Sequence, residues 1–304
     1  MSTQMSRRGF LKRSTTTAVC AAGLGIVQTY AADTPKKNHG MKKAVKFDMV
    51  QGDASILEKF KLLKELGFDG VEMYSPSPLD REEVLAARDE TGLAIPGVVG
   101  SRHWKVPLSD PDPAIRAEGV KAMETGLRDA KYYGASTILL VPAVVKKEVP
   151  YEQAYKRCQE EIRKLIPLAK DLGVVIAIEN VWNNFLLSPL EMARFIDEFE
   201  SPFVKVYFDV GNILRYGWPE HWIRTLGKRI AKLDIKEYSL KKMNSEGLWK
   251  GFEVELLEGD CDWPAVMKAL KDIGYAGWGT AEIPGGDRER LKNIAERMDR
   301  IWES

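Results

Sequence analysis

The chain is poor in cysteine and histidine, with three of each in 304 residues. So few cysteines exclude a disulfide-built scaffold and a cysteine-rich metal cluster. His39, His103 and His221 are too few for a multi-histidine zinc site. No apolar run approaches the roughly 20 residues of a membrane-spanning helix. Neither sign of charge dominates: 45 basic and 44 acidic residues give a formal net charge of +1. No global field therefore draws the chain to nucleic acid or to an anionic membrane. The hydrophobic share, 44%, is too high for a disordered chain and suffices for one large core or two small ones.

The charge is unevenly spread. Residues 6–12 read S-R-R-G-F-L-K, a small-residue apolar stretch covers 18–27, and Ala31-Ala32 precede a polar spacer, 33–43. A basic start, a short apolar stretch and small residues before a cut site describe a signal peptide over residues 1–32. Arg7-Arg8 followed by Phe10-Leu11-Lys12 resembles the twin-arginine export signal, which implies a periplasmic or other extracytoplasmic location. Cleavage near Ala31 or Ala32 removes four basic residues and no acid, taking the charge from +1 to −3. Cys20 follows Thr17-Ala18-Val19, a poor lipobox, so no lipid anchor is expected. Cys158 and Cys261 remain and are read as free thiols.

From residue 44 the pattern alternates. Apolar or β-branched runs fall at 44–50, 70–74, 93–99, 137–141, 174–179, 204–209, 230–235 and 278–283. Helix-period segments fall at 56–66, 79–91, 114–133, 151–172, 189–199, 263–273 and 288–302, with a weaker one at 219–226. Ser188-Pro189-Leu190-Glu191 reads as a capping box with proline at the first helical position. Gly67, Gly92, Gly134, Gly173 and Gly274 each follow a helix and precede a strand, as a left-handed helix stop requires. Repeated βα units imply parallel strands, and eight of them predict a single (β/α)8 TIM-barrel domain over 44–304. The rival is an open doubly wound sheet, which usually carries a glycine-rich phosphate loop after its first strand. Residues 48–53 here, D-M-V-Q-G-D, are not one.

Chemistry in such a barrel sits at the C-terminal ends of the strands. The polar residues there are Glu72, Ser101, Arg102 and His103, Glu179 and Asn180, Asp209 and Asn212, Asp234, Lys236 and Glu237, and Glu282. Glu179, Asp209, Asp234 and Glu282 come from four consecutive strands, each inside an apolar run where a lone carboxylate is costly. Four converging carboxylates repel, and a divalent cation resolves both problems. An all-oxygen set favours Mg²⁺ or Mn²⁺ over zinc.

The sequence resembles the xylose isomerase-like barrels, the sugar phosphate isomerase/epimerase group, over essentially the whole chain after the leader. The resemblance rests on G-F-D-G-V-E (67–72), I-E-N (178–180), F-D-V-G-N (208–212), D-I-K-E (234–237), E-G-D-C-D-W (258–263) and K-A-L-K-D-I-G-Y-A-G-W (268–278) leading to A-E-I (281–283). It implies metal ligands at Glu179, Asp209, Asp234 and Glu282, with Glu179 and Glu282 as the proton-transfer pair. Two positions depart from the family: Asp234 stands where a histidine is usual, and Asn212 where a histidine is common. Lys236 shares a strand face with Asp234 and would offset its charge. Substrate contacts are expected from Glu72, His103, Asn180, Asn212, Lys236 and Trp249, with Phe252 beside Trp249; His221 is read as structural.

The resemblance implies a reaction as well. A carboxylate removes the proton beside a sugar carbonyl, an enediolate forms, and the proton returns elsewhere. The expected ligand is a small sugar or glycoside without phosphate, because the chain is read as exported and no phosphate loop is visible. Two alternatives use the same site: β-elimination from a 3-keto-glycoside, and sugar binding without catalysis. An abasic-site endonuclease of the same superfamily is disfavoured by the scarcity of histidine. The sequence leaves a homo-oligomer open.

Overall fold

The computed structural model describes residues 40–304; residues 1–32, read above as a signal peptide, Cys20 and His39 lie outside the described residues. Eight parallel strands close into a barrel in chain order: β1 (Lys42–Lys46), β2 (Gly70–Ser75), β3 (Gly97–Gly100), β4 (Thr137–Leu140), β5 (Val175–Glu179), β6 (Val204–Asp209), β7 (Ile230–Ile235) and β8 (Trp278–Ala281). Helices α1 (Ile56–Glu65), α2 (Arg81–Thr91), α3 (Pro113–Tyr133), α4 (Tyr151–Leu172), α5 (Pro189–Asp197), α6 (Pro219–Leu226), α7 (Leu240–Glu246), α8 (Trp263–Asp272) and α9 (Arg288–Trp302) surround it. The open-sheet alternative is excluded, because β1 pairs with β8 through Lys42–Val45 and Trp278–Ala281.

The helix boundaries follow local chemistry. Ser55 and Glu58 form a reciprocal capping box at α1, and the Ser188 hydroxyl accepts from the Glu191 amide at α5. Gly134 and Gly173 end α3 and α4 in the left-handed conformation that glycine adopts without strain. Helix α7 lies outside the helix-period segments of the sequence. None of its seven residues is buried, so it leaves no apolar period to read; Ser239 caps it by accepting from the Lys242 amide. Strand ends also shift. β1 stops at Lys46, where a 3₁₀ turn at Phe47–Met49 begins, and β3 starts only at Gly97, after Pro96. Proline cannot donate to a ladder, which explains the late start.

The main core lies between the barrel and its helices, with Phe60, Leu127, Ile162, Trp263 and Ile294 fully covered. Inside the barrel the filling is lopsided. Val99, Leu139, Val141 and Ala177 of the β3–β5 side form a small apolar cluster with Tyr207. The opposite side buries Lys46, Glu72, Lys232, Asp234 and Thr280. Cys158 and Cys261 are both free thiols. Among the described residues no helix is long and apolar enough to cross a membrane.

Candidate active site

Period-two alternation stacks the inward-facing residues in two layers. Tyr207, Lys232 and Thr280 lie two residues before Asp209, Asp234 and Glu282. The first set forms a lower layer and the second an upper one at the strand ends. In the upper layer, one oxygen from each of Glu179, Asp209, Asp234 and Glu282 lies within 4.8 Å of the others. Oxygen ligands about 2.1 Å from Mg²⁺ or Mn²⁺ sit roughly 3 to 4 Å apart, so the spacing is close to that of a ligand set.

Two lysines enter the cluster. Lys236 Nζ lies 2.7 Å from Asp209 Oδ2 and 3.3 Å from Glu282 Oε2. Lys46 Nζ lies 3.1 Å from Asp234 Oδ2 and 3.0 Å from Glu282 Oε2. The offset expected of Lys236 is thus shared: Lys46 serves Asp234, and Lys236 serves Asp209. Four carboxylates and two ammonium groups leave a formal charge of −2, the surplus that one divalent cation neutralises.

The acids are held unequally. Asp209 is braced from several sides. Asn180 grips its backbone, donating to the carbonyl (2.7 Å) and accepting from the amide (2.9 Å). Asn212 donates its amide to Oδ1 (2.9 Å) and its side-chain nitrogen to Oδ2 (2.7 Å). Among the described residues Asp234 Oδ1 is buried without a hydrogen-bond partner, and Glu282 Oε2 has no aligned donor despite the two lysines. Unsatisfied buried acceptors beside a negative surplus are what a metal ligand set leaves before the ion binds. The residues present therefore fit a hard divalent cation. Glu179, Asp209, Asp234 and Glu282 would hold it.

Burial pushes the Glu179 carboxyl well above the usual carboxylate range, with the charge on Glu282 adding to it. Burial likewise raises Asp234, against the pull of Lys46, and Asp209, against the pull of Lys236. Glu282 goes the other way: burial is outweighed by Lys236 and Lys46, which hold it well below the usual range.

The cluster forms one wall of a cavity of about 520 Å³, which is lined by Lys46, Glu179, Lys236 and Glu282 and also by His103, Asn212 and Trp249. His103 Nδ1 accepts from the Val141 amide at 3.3 Å, so Nε2 carries the proton of the neutral ring. Burial, helped by Lys46, lowers the His103 pKa to about 4. Trp249 is exposed and stands in an aromatic wall with Trp182 (centroids 5.2 Å apart) and Phe252. His221 is on the open face of α6, its ring tilted against Trp218 with centroids 5.6 Å apart, away from the cavity lining.

Two expected substrate contacts do not reach the cavity. Asn180 spends its side chain on the Asp209 backbone. Glu72 lies in the lower layer, ion-paired with Lys232 and accepting from Tyr207 Oη at 2.8 Å. Its strand continues to Ser75, so Glu72 is mid-strand rather than at the end. Glu237 is also structural. Its carboxylate accepts from the Cys261 and Leu257 amides and from Trp263 Nε1 (2.8 Å), tying β7 to segment 258–263. A Cβ at Gly259 would come within 2.5 Å of that carboxylate.

Lys46 was missed by sequence reasoning. Its signal was a charge inside the apolar run 44–50, which also holds Asp48, the same kind of mark that picks out the acids.

A family model described as xylose isomerase-like TIM barrel matches residues 60–302. The L-ribulose-5-phosphate 3-epimerase UlaE of Escherichia coli is 27% identical over 262 residues, 80% of this chain and 89% of that one. Two solved structures share the fold. The apo form of 3-keto-D-glucoside 4-epimerase YcjR from E. coli gives a TM-score of 0.68 at 19% identity, covering 86% of this chain and 98% of that one. D-allulose 3-epimerase from Methylomonas sp. in complex with D-allulose gives 0.69 at 18%, covering 86% and 96%. The matched span runs from α1 to α9 and contains all four acids of the upper layer. With its closed eight-stranded barrel, the chain belongs to the xylose isomerase-like TIM barrel family.

Proposed function

We propose that this protein is a sugar epimerase, an isomerase that moves a proton at a carbon beside a sugar carbonyl with the help of a divalent metal ion. The observation that carries this reading is the four-acid, two-lysine layer with its surplus of −2 on the cavity wall. A bound Mg²⁺ or Mn²⁺ would supply Lewis-acid stabilisation of the oxyanion that develops when the proton leaves. The protein supplies the rest. Glu179 and Glu282 both line the cavity and serve as the proton-transfer pair, one removing the proton and the other returning it. Lys236 and Lys46 hold Glu282 from two sides and so fix its direction of approach. Asn212 braces Asp209, and the protonated Nε2 of His103 is free to donate to a sugar hydroxyl.

The substrate is read as a sugar or glycoside without phosphate. Among the described residues lining the cavity, the only cations are Lys46 and Lys236, and both are committed to the acids. The epimerase names of the relatives favour epimerisation over the eliminating lyase and over sugar binding without catalysis, while the name of the Escherichia coli relative, L-ribulose-5-phosphate 3-epimerase, carries a phosphate that the cavity lining here does not call for. Twin-arginine export to an extracytoplasmic space is part of the same proposal and accords with a substrate lacking phosphate.

Incubation with free ketoses in D₂O, with Mn²⁺ added or chelated, tests the proposal. Deuterium should enter the carbon next to the carbonyl, and only with the ion present. Aglycone release without exchange would point to elimination instead.

A further inference from the structure

Trp104 follows β3 in a turn fixed by two amides, of Lys105 and Val106, donating to the Arg102 carbonyl at 2.9 Å. Its ring meets His103 edge-on, centroids 5.7 Å apart. Despite this rigid setting the indole is 54% exposed. One side of Trp104 lines the main cavity of about 520 Å³, and it also lines a separate hollow of about 170 Å³. That hollow lies between the loops after β3 and β4. Ser109 Oγ accepts from the Val144 amide at 3.0 Å and ties the two loops together, so the hollow is preformed.

The hollow combines an apolar platform with polar groups of both kinds. Pro107 and Val144 add apolar surface, Lys105 and Lys146 supply donors, and Asp110 supplies an acceptor. Neither lysine has an ion-pair partner among the described residues. A ring with an apolar C–H face and hydroxyls at its edge matches that arrangement, since aromatic faces pack against such surfaces while polar groups fix orientation.

We propose that the hollow beyond Trp104 is a second binding subsite, which takes the neighbouring sugar unit of a glycoside whose reacting unit occupies the main cavity. Trp104 is the shared wall. The inference rests on the sugar reading of the main cavity and names its substrate class as a two-unit glycoside rather than a free monosaccharide.

Calorimetric titration of the full-length protein with D-fructose, D-glucose and D-galactose, and with lactulose, cellobiose and lactose, tests this. At least one disaccharide should bind about tenfold more tightly than its component monosaccharides. Trp104→Ala should cut that ratio to about twofold or less, and Lys105→Ala/Lys146→Ala should reduce it by threefold or more. The second variant lies outside the main cavity and keeps the test valid if the first fails to fold. No disaccharide preference in the wild type, or a ratio that survives both variants, overturns the subsite. Deuterium exchange into a monosaccharide without disaccharide preference would sink the subsite and leave the epimerase reading standing. A Trp104-dependent preference without exchange would support the subsite and count against epimerisation.

Discussion

The barrel buries charge in two stacked layers. In the lower one, Glu72 and Lys232 neutralise each other, Tyr207 donates to the second Glu72 oxygen, and Thr280 lies within hydrogen-bond reach of that tyrosine. Both charged side chains are almost fully covered, and neither lines the cavity. The upper layer holds twice as many acids as lysines, leaves Asp234 Oδ1 without a partner among the described residues, and opens to the cavity. Burial of charge is common to both, so burial does not mark the site. Unbalanced charge and unsatisfied carboxylate oxygens do; an orphaned oxygen alone does not, since among the described residues Thr137 Oγ1 is one as well. A closed pair serves the fold, whereas an open set is complete only with something bound.

The two layers should respond differently to substitution. The largest effect is expected in the upper layer. Glu282→Gln should lower deuterium exchange by a factor of about 10³, within the usual range for removing a general acid or base, while circular dichroism stays that of the wild type. Full exchange in that variant would refute the assignment of the proton-transfer pair.

The lower layer should show the reverse. Lys232→Met leaves Glu72 buried and unpaired, which costs about 3 to 5 kcal/mol. Urea unfolding should detect that loss, and Glu72→Leu/Lys232→Met should recover most of it. Metal affinity should stay within about twofold throughout. If Lys232→Met instead weakens metal binding strongly, the two layers are one functional unit and the distinction between them fails.

Lys46 sharpens the contrast further. Lys46→Met takes the upper layer from −2 to −3. Unit charges about 4 Å apart at an effective dielectric of 20 interact by about 4 kcal/mol. Part of that is lost as the acids move apart, so Mn²⁺ affinity should rise by about a hundredfold. The melting temperature of the chelated variant should fall and recover on adding Mn²⁺. An unchanged affinity would mean that Lys46 carries no share of the charge balance.

The smallest effect is expected at the cavity wall. His103 has a folded-state pKa of about 4 against 6.5 when exposed. Below pH 6.5 the unfolded chain takes up a proton that the folded chain refuses, so stability falls with pH until about 4. Between pH 6.5 and 5 this is on the order of 2 kcal/mol. The wild type's stability advantage over His103→Gln should shrink by that amount across the window. A constant difference would show that His103 titrates normally.

The upper-layer acids were legible because each interrupts an apolar run. Lys46 and Lys232 carry the same mark, but they lie within their runs rather than at the strand ends where barrel chemistry sits. Glu72 and Asn180 were misplaced for a related reason: strand register and side-chain partners decide whether a residue faces the cavity, and neither is written in local sequence. The eight-fold alternation and the glycine helix stops are local signals, and they carried the fold. Helix α7 buries nothing and so left no trace. The charge surplus became visible only once β1 was seen to close on β8 and bring Lys46 beside Asp234 and Glu282.

Calorimetric titration of chelator-stripped protein with Mn²⁺ tests the central claim most directly. A surplus of −2 predicts saturable binding of one ion per chain, abolished by Asp209→Asn together with Glu282→Gln. Absence of saturable Mn²⁺ or Mg²⁺ binding by the wild type would contradict it.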